Sequence, residues 1–399
     1  MSSVKSIIVQ KYGGACLETP EKIKAVAASV AKLSAAGNGV IVVVSAMGKT
    51  TDGLVKLAYQ VSPAPNRREL DMLLTTGERV SMTLMSMALS DLGCRAISFT
   101  GSQAGVMTDG SHSDARIVDV RPIRISEELN RGNVIVLAGF QGVNPETREI
   151  TTLGRGGTDT TAVAMAAKFI AARCEIIKEV DGVCTADPQI VPTARTLPRV
   201  TFGALREMCF WGAKVLHYRS VALADEANVN LFIRRWGSET NLTKVVKEDR
   251  TMEQCRILSV SSHANIEHLE IEAPTLNRAY ALLEEHLTKN QLARPQILAS
   301  AFNNDVTRLM FTGEKELLDT LLRSLNGQNV IRPIKKTLSS VTITCYGAVA
   351  TDLAAKAMAR LERDGIVVDK VLFTPLSLSV CVLPAQREAS VRSLHTLIN

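Results

Sequence analysis

One run, GVIVVV at 39–44, constrains the fold more than any other stretch of the chain. It is continuously apolar and β-branched, so it reads as a strand covered on both faces, as in a parallel sheet. The residues before it agree. SIIVQ at 6–10 is a second buried strand, ending in Lys11-Tyr12-Gly13-Gly14. Thr19-Pro20 then supplies an N-cap followed by proline at the first helical position, and the amphipathic helix it opens stops near Gly37. Strand, helix and strand make a βαβ unit, whose ligands sit beyond the carboxyl ends of the strands. The second of those ends carries Ser45-Ala46-Met47-Gly48-Lys49-Thr50-Thr51.

The alternation continues. Residues 69–92 are helical, with Thr75-Thr76-Gly77-Glu78-Arg79 as an expected break facing a pocket. AISFT at 96–100, NVIVLAGF at 133–140 and EIIKEV at 175–180 read as strands, and CFWGAKVLH and VNLFIRR close the region. This predicts a three-layer α/β domain with a mainly parallel sheet. Thr158 or Thr160 is expected to cap the helix that runs to about Ala172. A polar stretch around 240–254 suits a linker. Beyond it, two consecutive βαββα patterns predict a pair of ferredoxin-like modules, with Leu317, Leu318, Leu321, Leu322 and Leu325, and Leu353, Met358 and Leu361, as core stripes.

A length of 399 residues allows two or three domains. The net charge of +6 is spread thinly and aromatics make up only 4%, which argues against a nucleic-acid partner. Eight scattered cysteines without a CxxC pair fit reduced thiols in a cytoplasmic protein. No signal peptide is visible, and no apolar run reaches the roughly 20 residues of a membrane helix.

The chemistry gathers at TTLGRGGTDTTAVAMA, 151–166. Gly154, Gly156 and Gly157 bracket Arg155 and lead into an alanine-rich helix whose positive N-terminal end attracts anions. Lys11 on its Gly-Gly turn, Ser45 with Thr51, Glu78, and Arg155 with Asp159 are the other anion- or amine-binding groups at strand and loop ends. No Walker A motif, no clean GxGxxG after the first strand, and no HxxxH or HExxH is present. In phosphoryl transfer onto a carboxylate the attacking oxygen is already ionised, so cations and N–H groups rather than a base must lower the barrier. Arg155 suits a carboxylate, Glu78 an ammonium, and Asp159 would orient Lys11. Spacing alone does not name the reaction.

The motifs KYGG (11–14), VVVSAMGKTTDGL (42–54), ELDMLLTTGERVS (69–81), GRGGTDTTAVAMAA (154–167), EVDGVCTADP (179–188) and GAKVLH (212–217) resemble those of aspartate kinases, in the same order and over essentially the whole chain. The resemblance implies an amino acid kinase domain at 1–245 followed by two ferredoxin-like ACT domains at 255–335 and 336–399. It implies ATP- and Mg²⁺-dependent phosphorylation of the L-aspartate side-chain carboxylate to 4-phospho-L-aspartate, the entry step to the lysine, threonine and methionine pathway. The pairing edges left by the ferredoxin-like sheets predict a homodimer joined through these modules. By position, Lys11 and Asp159 match the catalytic pair, and Ser45, Thr51, Glu78, Arg155 and Gly156 match the amino-acid contacts. Gly13, Gly14, Gly157, Thr158, Lys178, Glu179, Cys184, Gln189 and Lys214 fall on the nucleotide side, and no residue matches a protein-held metal site. The departures from the family pattern cluster there: Ala15-Cys16 replace Thr-Ser, Ile177-Lys178-Glu179 replace Tyr-Thr-Asp, Cys184 replaces tyrosine and Gln189 replaces arginine. The Asp-x-Pro-Gly turn of many effector-binding ACT domains is missing, and Tyr218 stands where proline usually follows Leu-His. Two alternatives stay open: a divergent amino-acid carboxylate kinase of a specialised pathway, and a non-catalytic amino-acid-binding regulatory homologue.

Overall fold

The computed structural model describes residues 6–238, 242–247, 256–290, 292 and 294–398. The chain forms two compact units. One holds Met1–Cys184, Thr196–Arg206 and Val215–Arg250; the other holds Thr185–Arg195, Glu207–Lys214 and Thr251–Asn399.

The first unit starts with β1 (Ile7–Tyr12), α1 (Pro20–Ala35) and β2 (Gly39–Val44), the βαβ arrangement expected from the sequence. The Thr19 side chain caps α1 by accepting from the Lys22 N–H at 3.3 Å, and every β2 residue is buried. There follow α2 (Thr50–Val61), α3 (Arg67–Asp91), β3 (Ala96–Phe99), β4 (Val106–Thr108), β5 (Ile117–Val120), α4 (Ile123–Asn130), β6 (Val134–Ala138), β7 (Gln141–Val143) and β8 (Ile150–Thr152). The remaining elements are α5 (Gly157–Lys168), β9 (Arg173–Lys178), β10 (Val183–Cys184), β11 (Thr196–Leu197), β12 (Arg199–Thr201), α6 (Phe202–Phe210), α7 (Tyr218–Glu226), β13 (Leu231–Arg235) and β14 (Leu242–Val246).

Eight strands form the main sheet in the order β12-β14-β13-β9-β1-β2-β6-β3, parallel at every junction except β13 with β14. On one face Ile23, Val26 and Val30 of α1 and Met82, Met85 and Leu89 of α3 pack on Val40, Val42, Val44 and Val136. The alternate strand residues point the other way. There α5, buried from Gly157 to Ala166, packs on β1, β2 and β9 and completes the third layer. A smaller sheet, β5-β4-β7-β8, leads into the glycine loop.

Two local expectations are corrected. The break at Gly77 does not occur: α3 is one continuous helix of 25 residues. Gly77 serves close packing instead, since a Cβ there would lie 2.8 Å from the Ala46 Cβ. The linker expected over 240–254 lies partly outside the described residues, and its described part includes β14, an integral strand of the main sheet. Of the CFWGAKVLH segment, the residues through Lys214 group with the second unit. Gly212 is seated there so closely that a Cβ would meet the Ser262 carbonyl oxygen at 2.3 Å.

The second unit repeats β, α, β, β, α twice. The first pass is β15 (Arg256–Glu272), α8 (Leu276–Lys289), β16 (Gln296–Asn303), β17 (Val306–Thr312) and α9 (Lys315–Ser324). The second is β18 (Ile331–Tyr346), α10 (Thr351–Arg363), β19 (Val368–Phe373), β20 (Ser377–Val382) and α11 (Arg387–His395). The long strands β15 and β18 pair antiparallel, so both repeats share one six-stranded sheet, β16-β17-β15-β18-β20-β19. The predicted stripes are core: Leu318, Leu321 and Leu325 are buried with Leu283, and Leu353 and Leu361 with Val391. Among the described residues no helix is long and apolar enough to cross a membrane.

Candidate active site

The site forms where β1 and β2 end beside the first turn of α5. Gly14 lets the two strand ends meet, because a Cβ there would lie 2.6 Å from the Ala46 carbonyl oxygen. The Gly13 N–H donates to the Ile177 carbonyl at 3.2 Å, and the Gly48 N–H to that of Gly14 at 2.9 Å. Lys11 is the penultimate residue of β1. Its Nζ sits 2.6 Å from Asp159 Oδ1, with both side chains less than a tenth exposed. Asp159 lies in the first turn of α5, where the helix dipole favours a negative charge. Burial alone would raise its pKa, but the charges of Lys11 and Lys178 outweigh that and hold the carboxyl below its ordinary value. The pair fixes the Lys11 ammonium in one place at the strand end.

Glu78 comes to the same strand ends from the middle of α3. Its Oε1 accepts from the Ala46 N–H at 3.2 Å, and its buried Oε2 has no hydrogen-bond partner among the described residues. Burial raises its pKa to about 7, against the two backbone hydrogen bonds and the Lys11 charge, which act to lower it. The Ser45 backbone is fully used, its N–H donating to Tyr12 O at 3.2 Å and its carbonyl accepting from Ser81 Oγ at 2.7 Å. Thr51 lies half-buried in the first turn of α2.

The glycine loop has the geometry its composition suggests. Gly154 and Gly156 both take left-handed backbone angles, φ 68° and 70°, which turn the chain sharply on either side of the exposed Arg155. Gly156 is doubly constrained, because a Cβ there would lie 2.2 Å from that of His217. The expected threonine cap is replaced: Gly156 occupies the N-cap position of α5 without a side-chain hydrogen bond. Thr160 instead donates to the Gly156 carbonyl at 3.1 Å and Thr161 to that of Gly157 at 2.9 Å. Thr158 is buried under Gly139, whose absent Cβ makes room for it. The Gly157 N–H closes the turn onto the Gly154 carbonyl at 3.0 Å, and the N–H groups that follow it at the positive end of α5 are suited to an anion.

Lys178, at the end of β9, donates from Nζ to the Val215 carbonyl. Glu179 is held by Lys22, whose Nζ lies 2.6 Å from its Oε1 while also donating to Ala15 O at 2.8 Å. The Cys184 thiol donates to the Asp181 carbonyl at 3.3 Å. Gln189 and Lys214 are exposed and fall in the stretches that group with the second unit, so the first unit by itself does not bring them to Lys11.

Several site residues escaped sequence reasoning: Asp71, His112, Asp114, Thr152 and Arg219. Asp71 is fully buried, accepting from Thr152 Oγ1 at 2.6 Å and the Ser113 N–H at 3.1 Å and pairing with His112 Nδ1 at 2.7 Å. Arg219 donates to Asp114 Oδ1 at 2.7 Å, to Ala115 O at 2.9 Å and to Leu153 O at 3.4 Å. The glycine loop is thus braced from beneath by side chains with no motif of their own. Among the described residues no group of three or more His, Cys, Asp or Glu could hold a metal ion.

Residues 6–235 match the model of the amino acid kinase family. The aspartokinase of Corynebacterium glutamicum is 40% identical over 408 residues, covering 98% of this chain and 95% of that protein. That of Mycobacterium tuberculosis is 53% identical over 241 residues, covering 60% of this chain and 57% of that protein. Among solved structures, Escherichia coli aspartokinase III in complex with aspartate and ADP aligns over 98% of this chain and 99% of its own, with a TM-score of 0.79 at 21% identity.

Proposed function

The chain belongs to the amino acid kinase family and within it to the aspartokinases, and from that premise we propose that it transfers the γ-phosphoryl group of ATP to the side-chain carboxylate of L-aspartate, giving 4-phospho-L-aspartate and ADP. The observation that carries the assignment of roles is the buried Lys11–Asp159 pair set between the two strand ends and the α5 N-terminus.

The acceptor carboxylate is ionised at neutral pH, so the barrier is dominated by bringing it against a polyanion and by charge on the migrating phosphoryl group. Lys11 meets both: Asp159 holds its ammonium where it bridges the two anions without moving during reaction. Asp159 is a positioning anion and takes no proton, in keeping with its lowered pKa. The N–H groups of Gly14 and Thr158 donate to phosphate oxygens, and Gly13 and Gly157, whose own N–H groups close turns onto Ile177 O and Gly154 O, let the backbone approach them. Arg155 binds the aspartate α-carboxylate as a two-pronged donor, with Ser45, Thr51 and Gly156 around it. Glu78 offers its unpartnered Oε2 to the α-ammonium. Lys178 adds positive charge at the nucleotide end, with Glu179 and Cys184 beside it in the chain of the first unit. Bound with the nucleotide, Mg²⁺ would supply further neutralisation of phosphate charge at this end. We also propose that the protein is a cytoplasmic homodimer joined through the second unit, whose sheet ends in the edge strands β16 and β19.

Coupled ADP-release assays test this directly, with aspartate, glutamate and other amino acids as acceptors and ATP compared with GTP. Aspartate with ATP should give the highest kcat/KM, and Lys11→Met should lower kcat about a hundredfold or more. An equal or higher rate with another amino acid would transfer the assignment to a divergent carboxylate kinase. Binding of aspartate without any turnover would favour a regulatory homologue.

A further inference from the structure

We infer that Asp71 is a positioning residue for aspartate binding: through Thr152 and the turn at 112–115 it sets where the glycine loop holds Arg155. This rests on the kinase reaction proposed above. Asp71 and Glu78 stand seven residues apart on α3, two turns along one face. The same helix therefore presents two buried carboxylates to the site, and of these Asp71 has no substrate group to bind. It is instead filled by protein donors. Thr152 Oγ1 donates to Oδ1 at 2.6 Å, the Ser113 N–H reaches both oxygens at 3.1 and 3.2 Å, and His112 Nδ1 lies 2.7 Å from Oδ2. A buried carboxylate acts here as acceptor, so His112 carries its proton on Nδ1.

These donors are the supports of the glycine loop. Thr152 ends β8, one residue before the Leu153-Gly154-Arg155 turn. Its carbonyl accepts from the Ala115 N–H at 2.9 Å, tying strand and turn together. Gly154 lies flat on that turn, since a Cβ there would meet Ser113 O and Asp114 Oδ1 at 3.0 Å each. Ser113 has a left-handed φ of 66°, uncommon for a residue with a side chain, and its N–H points at Asp71. Arg219 pins the other side of the turn through Asp114, Ala115 and Leu153. Asp71 is the shared acceptor beneath the assembly, so replacing Oδ2 by an amide nitrogen turns a donor on His112, weakens the hold on Thr152 and Ser113, and lets Arg155 drift from the substrate carboxylate.

The test is a double-mutant cycle in the full chain, measured by ADP release. Asp71→Asn should raise the aspartate KM about tenfold to a hundredfold, the penalty of a misplaced binding group, and leave the ATP KM within about twofold. In an Arg155→Lys background the same change should add less than about threefold, because both act on one contact. Effects that multiply, or an ATP KM that rises in step, would overturn the inference. Should Asp71→Asn fail to fold, His112→Gln serves instead. His112 is partly exposed, and Thr152 and Ser113 keep their hydrogen bonds in that variant. It should raise the aspartate KM about three- to tenfold at an unchanged melting temperature, and an unchanged KM would overturn the inference equally. A wild-type chain inert toward aspartate would sink the kinase reading; an active wild type with an unaffected Asp71→Asn enzyme sinks only this one.

Discussion

Glu78→Gln replaces one oxygen by an amide nitrogen in the buried face of α3 and separates what that residue costs the fold from what it gives the reaction. Burial raises the Glu78 pKa from 4.5 to about 7. The folded carboxyl therefore holds its proton more tightly than the unfolded one, and wild-type stability falls as pH rises from about 4.5 to about 7, then levels off. At about 1.4 kcal/mol per pKa unit, the ionised group costs the folded state about 3 kcal/mol above neutrality. Glutamine keeps an oxygen for the Ala46 N–H and carries no charge, so Glu78→Gln should be more stable than wild type by up to about that amount at pH 8 and about equal to it at pH 4. Substrate binding should move the other way. A hydrogen bond to a charged group is worth about 1.5–3 kcal/mol, so the aspartate KM should rise about tenfold to a hundredfold. In wild type that KM should climb as pH falls through about 7 and the carboxylate is protonated; the variant should lack this dependence. Urea unfolding between pH 4 and 8, with ADP-release kinetics over the range in which the enzyme is folded, reads both effects. A variant less stable than wild type at pH 8, or one with an unchanged aspartate KM, would refute the reasoning.

Three further outcomes follow from the same geometry. Gly156→Ala must accommodate both φ 70° and a Cβ 2.2 Å from that of His217; it should abolish measurable turnover while circular dichroism of the whole chain changes little, and near-normal kcat would contradict the account of the loop. Arg155→Lys keeps the charge but loses the fork, so calorimetric titration should show aspartate binding weakened about tenfold with nucleotide affinity unchanged; equal aspartate affinity would remove Arg155 from the site. Light scattering at working concentration should give twice the 43.1 kDa chain mass, and a monomeric mass would count against pairing through β16 or β19.

The parts of the fold legible in sequence are those where one residue type does one job locally. The runs at 6–10 and 39–44 read as buried strands because no other element tolerates them, and both are central in the main sheet. The glycines around Arg155 read as a loop because Gly154 and Gly156 do need left-handed backbone. Where a residue had two possible jobs, the reading went astray. Gly77 looked like a helix break but makes room for Ala46, and Thr158 looked like a cap but fills the space over Gly139. Asp71 and His112 were invisible for a different reason. Asp71 meets partners 41 and 81 positions away, and in a single sequence a polar residue on a helix looks the same whether it faces solvent or a buried turn. Gln189 and Lys214 sit beside first-unit motifs in the chain yet belong to segments that fold with the second unit, a crossing that local pattern cannot reveal.

The central claim is that Lys11, held by Asp159, stands between two anions that must react. A crystal structure of the chain with aspartate and ADP measures it most directly. The account predicts Lys11 Nζ within hydrogen-bond reach of both the aspartate side chain and the phosphate end, with Glu78 on the ammonium and Arg155 on the α-carboxylate. Both ligands bound away from Lys11, with the Lys11–Asp159 pair undisturbed, would contradict it.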